Sequence, residues 1–324
     1  MQGAVAAGGG TDPAASALPG MAWIPAGTFA MGSDRHYPEE APAHRVAVDG
    51  FFIDQTPVTN RAFAAFVAAT SHVTLAEQAP RAEDYPGADP RLLVPGSLVF
   101  TPPEEPVARE DWTRWWQFVP GADWRHSLGP GSDLSGREDH PVVHVCHGDA
   151  LAFARWCGKE LPREAEWEFA ARGGLDGADF ARGDELAPGG VHRANTWQGD
   201  FPWENLAEDG HAGTSPVRAF PANGYGLFDM IGNVWEWTDD WYAPHHAPAK
   251  ACCLPRNPRG GRREDSFDWL APGGATPRKV LKGGSHLCAP SYCRRYRPAA
   301  RQPQTLDTAS VHIGFRCIRR LALP

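Results

Sequence analysis

Thirty-five glycines and 31 prolines are spread through the 324 residues of this chain, and they limit what it can fold into. Both residues break regular elements into short pieces. A long helical bundle or a doubly wound parallel sheet does not tolerate that punctuation. Thirteen Trp and 15 Phe supply the opposite tendency, large side chains able to hold loops together. With 42 % hydrophobic residues there is enough apolar matter for a packed core. The expected class is therefore α+β and irregular. No internal repeat and no long interior linker divides the chain, so one domain is expected over 21–324, preceded by a disordered leader over 1–20. The formal net charge of -8 argues against nucleic acid, which selects a basic face. No apolar run approaches the roughly 20 residues that span a bilayer. The first residues lack the basic start and apolar stretch of a secretory signal, so the default compartment is the cytoplasm, where thiols stay reduced. Seven cysteines, an odd number, leave at least some thiols free.

Local patterns place a few elements. "MAWIPAGTFAMGS" reads as a hairpin or a pair of short strands, and "HRVAVDGFFIDQTPVT" as a second pair. Thr59 caps a helix from Arg61 to Ala69 with Phe63, Phe66 and Val67 on one face. Residues 75–140 are rich in Pro, Gly and charge but carry Trp112, Trp115, Trp116 and Trp124, so they read as a long irregular segment packed on the core. Asp149 caps a second helix, "ALAFARWCGK", which Gly158 ends. "LPREAEWEFAARGG" is a third, short, with acidic residues early and glycine, Gly173, at its end. After residue 173 periodicity fades into loops and short strands.

Several groups carry chemistry. Asp229 and Glu236 flank a glycine turn in "DMIGNVWEW", and Asn195 and Asp209 bracket another loop. Both sets offer oxygen to a hard cation such as Ca2+, with loop carbonyls completing the shell. Spacing alone favours ordinary polar loops. His144, Cys146 and His147 in "HPVVHVCHGD" fit a strand entering the second helix better than a metal site, and His245–His246 lie in a proline-rich loop. The most pointed feature is "KGGSHLCAPSYCRRYR", with four residues between Cys288 and Cys293. That gap exceeds the two-residue gap of redox dithiols and zinc knuckles. Zinc would need two more ligands, which the adjacent Cys252 and Cys253 do not readily supply. Two thiolates alone suit a soft ion of low coordination number, Cu(I) above all. Lys282, Arg294, Arg295 and Arg297 nearby would favour the thiolate form. A reactive pair and two partly buried inert thiols remain equally open on this basis. The arginines at 294, 295, 297 and 301 are expected to pair with carboxylates of the same fold.

Taken in order, "IPAGTFAMGS", "EAPAHRVAVDGFFID", "VTNRAFAAFV", "WWQFVPGADWRH", "HPVVHV", "LPREAEWEFAARGG", "NGYGLFDMIGNVWEW", "KGGSHLCAPSYCRRYR" and "GFRC" resemble the formylglycine-generating enzymes, or sulfatase-modifying factors. The likeness runs from about Met21 to Cys317. The cysteine segment and "GADWRH" are its most specific parts. The resemblance implies a single C-type-lectin-like fold with little regular secondary structure. It implies an oxidase that converts a cysteine in a Cys-x-Pro-x-Arg segment of an unfolded sulfatase to Cα-formylglycine, using Cu(I), O2 and a thiol reductant. A hydrogen atom would leave the substrate Cβ, and the thioaldehyde would hydrolyse.

By the same resemblance Cys288 and Cys293 hold copper, with Ser285 and Trp235 as further catalytic residues. Tyr292, Trp116 and His312 contact substrate. Asn195, Thr196, Asp209 and His211 form one structural Ca2+ site, and Asp229, Gly232, Val234 and Glu236 the other. A monomer is expected, with no nucleic acid or membrane partner. The chain departs from the family pattern at Ala289, Pro290, His312 and Gln304, which bears on substrate choice, and at Asp229, which replaces a common asparagine. Ala171 and Pro298 stand where secreted members have one disulfide, in keeping with a reduced compartment. Cys317 matches a half-cystine whose usual partner position is Ala154; Cys157 lies one helical turn on. Two other readings compete: a copper-binding paralogue that oxidises another peptide or thiol, and a non-catalytic lectin-like module. The iron-dependent sulfoxide synthases that share the fold need an additional helical domain that this chain has no room for.

Overall fold

The computed structural model describes residues 18–246, 254–269 and 276–321. Most of the leader expected over 1–20, together with Cys252 and Cys253, lies outside the described residues.

The first four strands are β1 (Met21–Ile24), β2 (Gly27–Met31), β3 (His44–Val48) and β4 (Phe51–Asp54). They do not form the two successive pairs expected from the sequence. β1 pairs antiparallel with β4, Met21 opposite Asp54, while β2 pairs with β3, Gly27 opposite Val48. Pro25, with no N–H to close a tight hairpin, sits where the chain leaves one sheet for the other. β11 (Ile318–Arg320) adds to β4, so the first and last strands of the domain share one sheet. A four-stranded sheet in the order β10-β7-β8-β9 holds β7 (Trp235–Trp241), β8 (Arg278–Lys282), β9 (Arg301–Thr305) and β10 (Ile313–Gly314). Inside 75–140, expected to be wholly irregular, β5 (Gly96–Phe100) and β6 (Trp116–Pro120) form an antiparallel ladder. Its alternation was hidden by the polar loop between the strands. Trp115 and Trp124 are buried as expected, but Trp112 is 57 % exposed.

The helices follow their caps. Thr59 Oγ1 accepts the Ala62 N–H at 3.3 Å and opens α1 (Asn60–Thr70), which buries Phe63 and Phe66. α2 spans His147–Trp156 and starts earlier than expected. Asp149 is not its cap residue but sits in its first turn, where its carboxylate accepts the Cys146 N–H at 3.0 Å. A carboxylate there satisfies a free donor as a cap side chain does. The strand expected through His144, Val145 and Cys146 is absent: in this segment only Pro141 makes a bridge, to Thr59, and His144 has φ +59°. His144 holds Ser97 Oγ at 2.8 Å and the Ser127 carbonyl at 2.9 Å, which leaves it no free nitrogen for a metal. α3 (Glu164–Arg172) ends at Gly173 in the left-handed region, and Asn223 Nδ2 closes its last turn by donating to the Ala170 carbonyl at 2.8 Å.

Every residue of α3 is buried, its charges included. Those charges are matched. Glu168 accepts from Arg172 at 2.7 Å and from Lys282 of β8 at 3.0 Å. Glu164 accepts from Arg301 of β9 at 2.7 Å. Burial alone would raise the Glu164 carboxyl, but Arg301 and Lys282 bring it down to about 2. Glu236 of β7 is held by Arg316 at 2.7 Å, with neither side chain exposed. Arg297 meets Glu40 and Arg295 meets Glu39, so these basic residues serve the fold as expected.

Two predictions follow from these buried charges. Arg316→Leu strands Glu236 without a counter-charge and should destabilise the protein by about 3–5 kcal/mol, read as a lower urea midpoint. Burial also pushes His144 and His246 down to about 4. The unfolded chain then binds protons that the native state refuses. Stability should fall as pH drops from 6.5 to 4, by about 1.4 kcal/mol per histidine per pH unit. Denaturation curves at pH 7, 6 and 5 test this, and His144→Asn, if it folds, should flatten the dependence.

Candidate functional site

β8 ends at Lys282 and runs directly into the cysteine loop. Gly283 (φ +93°) and Gly284 (φ +71°) make the turn. A Cβ on Gly284 would lie 2.8 Å from the Arg295 carbonyl, so glycine is required for the loop to fold back on itself. The Ser285 carbonyl then accepts the Cys288 N–H at 2.9 Å, and the Ser285 N–H points at Cys288 Sγ at 3.4 Å. Ser285 Oγ accepts from Leu287 N at 3.2 Å. Ala289 begins a single helical turn: its carbonyl accepts from Tyr292 N at 3.2 Å and Cys293 N at 3.0 Å. Pro290 falls at the first position of that turn, where no donor is needed. Pro290 therefore costs the turn no hydrogen bond.

This turn brings the two sulfurs to 3.1 Å, a thiol–thiol hydrogen bond and far from the 2.03–2.05 Å of a disulfide. Cys288 is 2 % exposed and Cys293 is partly open. Their acidities diverge. Burial, with Cys293 beside it, pushes the Cys288 thiol up. The hydrogen bond from Cys288, followed by the Arg295 guanidinium, brings Cys293 down to about 7. Only one of the basic residues expected to favour the thiolate is shown acting on Cys293. Lys282 is spent on Glu168 and Arg297 on Glu40, both inside the core. Arg295 alone reaches Cys293 while also holding Glu39 at 2.6 Å and stacking on Tyr37.

A second, separate apolar core of Trp115, Trp197, Phe201, Leu287 and Ala289 is built partly from the cysteine loop itself. Tyr292 is 41 % exposed and stacks on Phe201, ring centres 4.4 Å apart and 8° from parallel. Trp116 packs on His312 at 4.8 Å, and the His312 ring bonds Ser310 at 2.8 Å. Burial pushes His312 down to about 3. The structure thus gathers Ser285, Cys288, Tyr292 and Cys293 on one loop and pairs Trp116 with His312 beside the second core. Trp235 instead lies in the main core, which it shares with Cys288. Arg109 escaped the sequence reading. It donates to the Phe201 carbonyl at 3.1 Å and to the Ser291 carbonyl at 3.0 Å, tying the two walls of the site together. Nothing in its acidic, proline-rich surroundings marks it.

The oxygen-rich loops also have definite geometry. Asn195 Oδ1 is buried with no partner among the described residues, while its Nδ2 donates to the Gly213 carbonyl at 2.9 Å. Asp209 faces the same loop, with Oδ2 on Thr196 N and Oδ1 on His211 N, each at 2.9 Å. An unpartnered oxygen beside a carboxylate fits a hard cation. In the other set, Glu236 Oε2 accepts from Arg316 Nε at 2.7 Å and Trp167 Nε1 at 2.8 Å, and Oε1 accepts from Arg316 Nη2 at 2.8 Å. A carboxylate has about four lone-pair sites, so one on Oε1 remains. Burial raises the Asp229 carboxyl, a cost that a bound cation would offset. Among the described residues no group of three or more His, Cys, Asp or Glu is arranged for a metal ion. A two-thiolate site lies below that count.

A close thiol pair on a loop-dominated assembly of small sheets is the arrangement of a formylglycine-generating-enzyme fold, a variant of the C-type-lectin-like domain. The chain matches the family model of the sulfatase-modifying factor enzyme 1-like domain over residues 9–321 and belongs to that family. It is 54 % identical over 298 residues to the formylglycine-generating enzyme of Mycobacterium tuberculosis, covering 91 % of this chain and 96 % of that protein. It is 46 % identical over 322 residues to the formylglycine-generating enzyme of Streptomyces coelicolor, with 94 % of each covered. Among solved structures, PvdO from Pseudomonas aeruginosa superposes with a TM-score of 0.59 at 25 % identity, over 93 % of this chain and 94 % of that one.

The thiol electrostatics yield a direct test. Arg295→Gln removes the guanidinium beside Cys293 and should move its pKa up from about 7 toward the ordinary thiol range of about 8.5. The pH dependence of iodoacetamide labelling at Cys293, followed by mass spectrometry, measures the shift.

Proposed function

We propose that the protein is a copper-dependent oxidase that converts the cysteine of a sulfatase Cys-x-Pro-x-Arg segment to Cα-formylglycine. The observation that carries this reading is the 3.1 Å Cys288–Cys293 pair, held unbonded by a one-turn loop. Cys288 and Cys293 would hold Cu(I), whose preference for few, soft ligands suits two thiolates. The metal supplies the one-electron chemistry toward dioxygen that side chains do not provide.

The chain's own residues account for the rest. Arg295 favours the anionic form of Cys293, and the Ser285 N–H stabilises charge on Cys288. The second core keeps bulk water from the buried side of the pair. Tyr292, exposed and backed by Phe201, offers a flat face to an extended peptide. Trp116 with His312 offers another, and Trp235 supports the loop from the main core. The overall change balances. A substrate CH2–SH, one O2 and two reductant thiols give an aldehyde, hydrogen sulfide, water and a disulfide. The substrate carbon gives up two electrons, and the reductant supplies the other two that O2 requires.

Structural Ca2+ is assigned to Asn195, Thr196, Asp209 and His211, supported by the unpartnered Asn195 oxygen, and to Asp229, Gly232, Val234 and Glu236. A cytoplasmic setting is supported by Ala171 and Pro298, which stand where secreted members of the family have a disulfide.

The deciding assay incubates the protein with Cu(I), a thiol reductant, air and a peptide containing Cys-x-Pro-x-Arg. Formylglycine should appear in the peptide mass spectrum and vanish with Cys288→Ser or Cys293→Ser. Absence of product from the wild type, with another thiol peptide oxidised instead, would replace this reading by the paralogue. For calcium, EGTA should lower the melting temperature of the wild type. Asn195→Ala should lower it as well and weaken the response to EGTA.

A further inference from the structure

The Gly232–Asn233 step stands where both oxygen-rich loops meet the cysteine loop. Gly232 N donates to the Gly283 carbonyl at 2.9 Å, and a Cβ on Gly232 would lie 2.2 Å from the Asn195 carbonyl oxygen. Asn233 has φ +57° and is fully buried. Its N–H donates to the Asn195 carbonyl at 2.8 Å. Its side chain accepts from Ser215 N at 3.0 Å and donates to Ser215 O at 3.2 Å, with Asp229 Oδ1 at 3.4 Å. Its carbonyl accepts twice from one residue, His286: from the backbone N–H at 3.0 Å and from Nδ1 at 2.8 Å. His286 lies between Ser285 and the Leu287–Cys288 step and is 5 % exposed.

One residue therefore touches a residue of each expected cation site on one side, through the Asn195 backbone carbonyl and Asp229 Oδ1, and the thiol loop on the other. The path is short and buried: hydrogen bonds join Asn195 to Asn233 and Asn233 to His286, and two residues of backbone lead from His286 to Cys288. A cation that fixes the Asn195 peptide plane fixes the Asn233 carbonyl, and the doubly bonded His286 carries that position into the cysteine turn. We infer that Asn233 and His286 are positioning residues that couple divalent-cation occupancy at Asn195–Asp209 to the geometry and reactivity of the Cys288–Cys293 pair. This rests on the reading of that loop as a Ca2+ site. Coupling of this kind is reciprocal: Cu(I) on the thiols tightens Ca2+ binding by the factor that Ca2+ tightens Cu(I).

The test uses the full chain with Ca2+ or excess EGTA. Two quantities are read: iodoacetamide labelling rates of Cys288 and Cys293 without copper, and Cu(I) affinity by competition with a chromophoric chelator. In the wild type, removing Ca2+ should change both by roughly three- to tenfold, the scale of one buried hydrogen bond. His286→Phe keeps a ring but has no Nδ1 donor; its response should shrink to less than about twofold although Ca2+ still raises its melting temperature. His286→Asn, which retains a side-chain donor, should recover part of the response. Asn233→Gly keeps the positive φ and both backbone bonds but loses the side-chain bonds to Ser215 that hold them in place, so it should weaken the response without abolishing it. An undiminished calcium response in His286→Phe overturns the coupling, as does a wild type that binds Ca2+ without changing thiol reactivity. A wild type that binds no Ca2+ in calorimetry removes the input and overturns both the coupling and the site reading. Failure of Cu(I) binding alone leaves the labelling rates to decide.

Discussion

Lys282 is a fully buried ammonium, and the cysteine loop hangs from it. An uncompensated charge in such a place costs several kcal/mol, so the surroundings must supply counter-charge. Glu168 does so at 3.0 Å, with Glu164 at 3.6 Å, both from α3. The pair clamps the end of β8 to α3, which is buried along its whole length. One residue later the chain turns at Gly283–Gly284 toward Cys288. Glu168 also takes the Gly32 N–H at 2.9 Å and Arg172, so the same carboxylate ties β2 into the assembly. Regular ladders are few in this fold. Buried ion pairs and side-chain bonds to backbone do the positioning that strands and helices do elsewhere.

The thiol pair shows why such a frame matters. Two sulfurs at 3.1 Å are close enough to share a proton and too far apart to be bonded. Their separation is set by a single helical turn from Ala289 to Cys293, and that turn is braced from outside by Arg109 on Ser291 and by Trp197 N on the Cys288 carbonyl at 3.1 Å. Burial disfavours charge on Cys288, whereas Arg295 favours it on Cys293. The result is one sulfur whose pKa burial pushes well up beside one that ionises at about 7. Such an asymmetric pair loses its second proton more readily to a metal than to solvent.

Much of this was legible in the residues. Thr59, Gly173 and the acidic start of α3 marked helix ends because capping is local chemistry. Glycine and proline content announced a loop-rich fold. The misses were non-local. β1 pairs with β4 rather than with its neighbour because sheet partners are chosen by packing across the domain, which alternation within one strand does not encode. β5 and β6 were masked by the polar loop between them. Lys282 and Arg297 looked like activators of the thiols because they are neighbours in sequence. Their charges are in fact consumed by Glu168 and Glu40, 114 and 257 residues away. Arg109 carries no motif, and Asn233 lies unmarked inside "DMIGNVWEW"; only three-dimensional hydrogen bonding reveals their place.

The central claim is that Cys288 and Cys293 together form a two-sulfur Cu(I) site open to a third thiol. X-ray absorption at the copper edge of the Cu(I)-loaded protein measures that directly. Two sulfur scatterers and no nitrogen in the resting protein, rising to three sulfurs when the cysteine peptide is added, is the result the account predicts. Nitrogen ligation at rest, or two sulfurs that stay two with peptide bound, would contradict it.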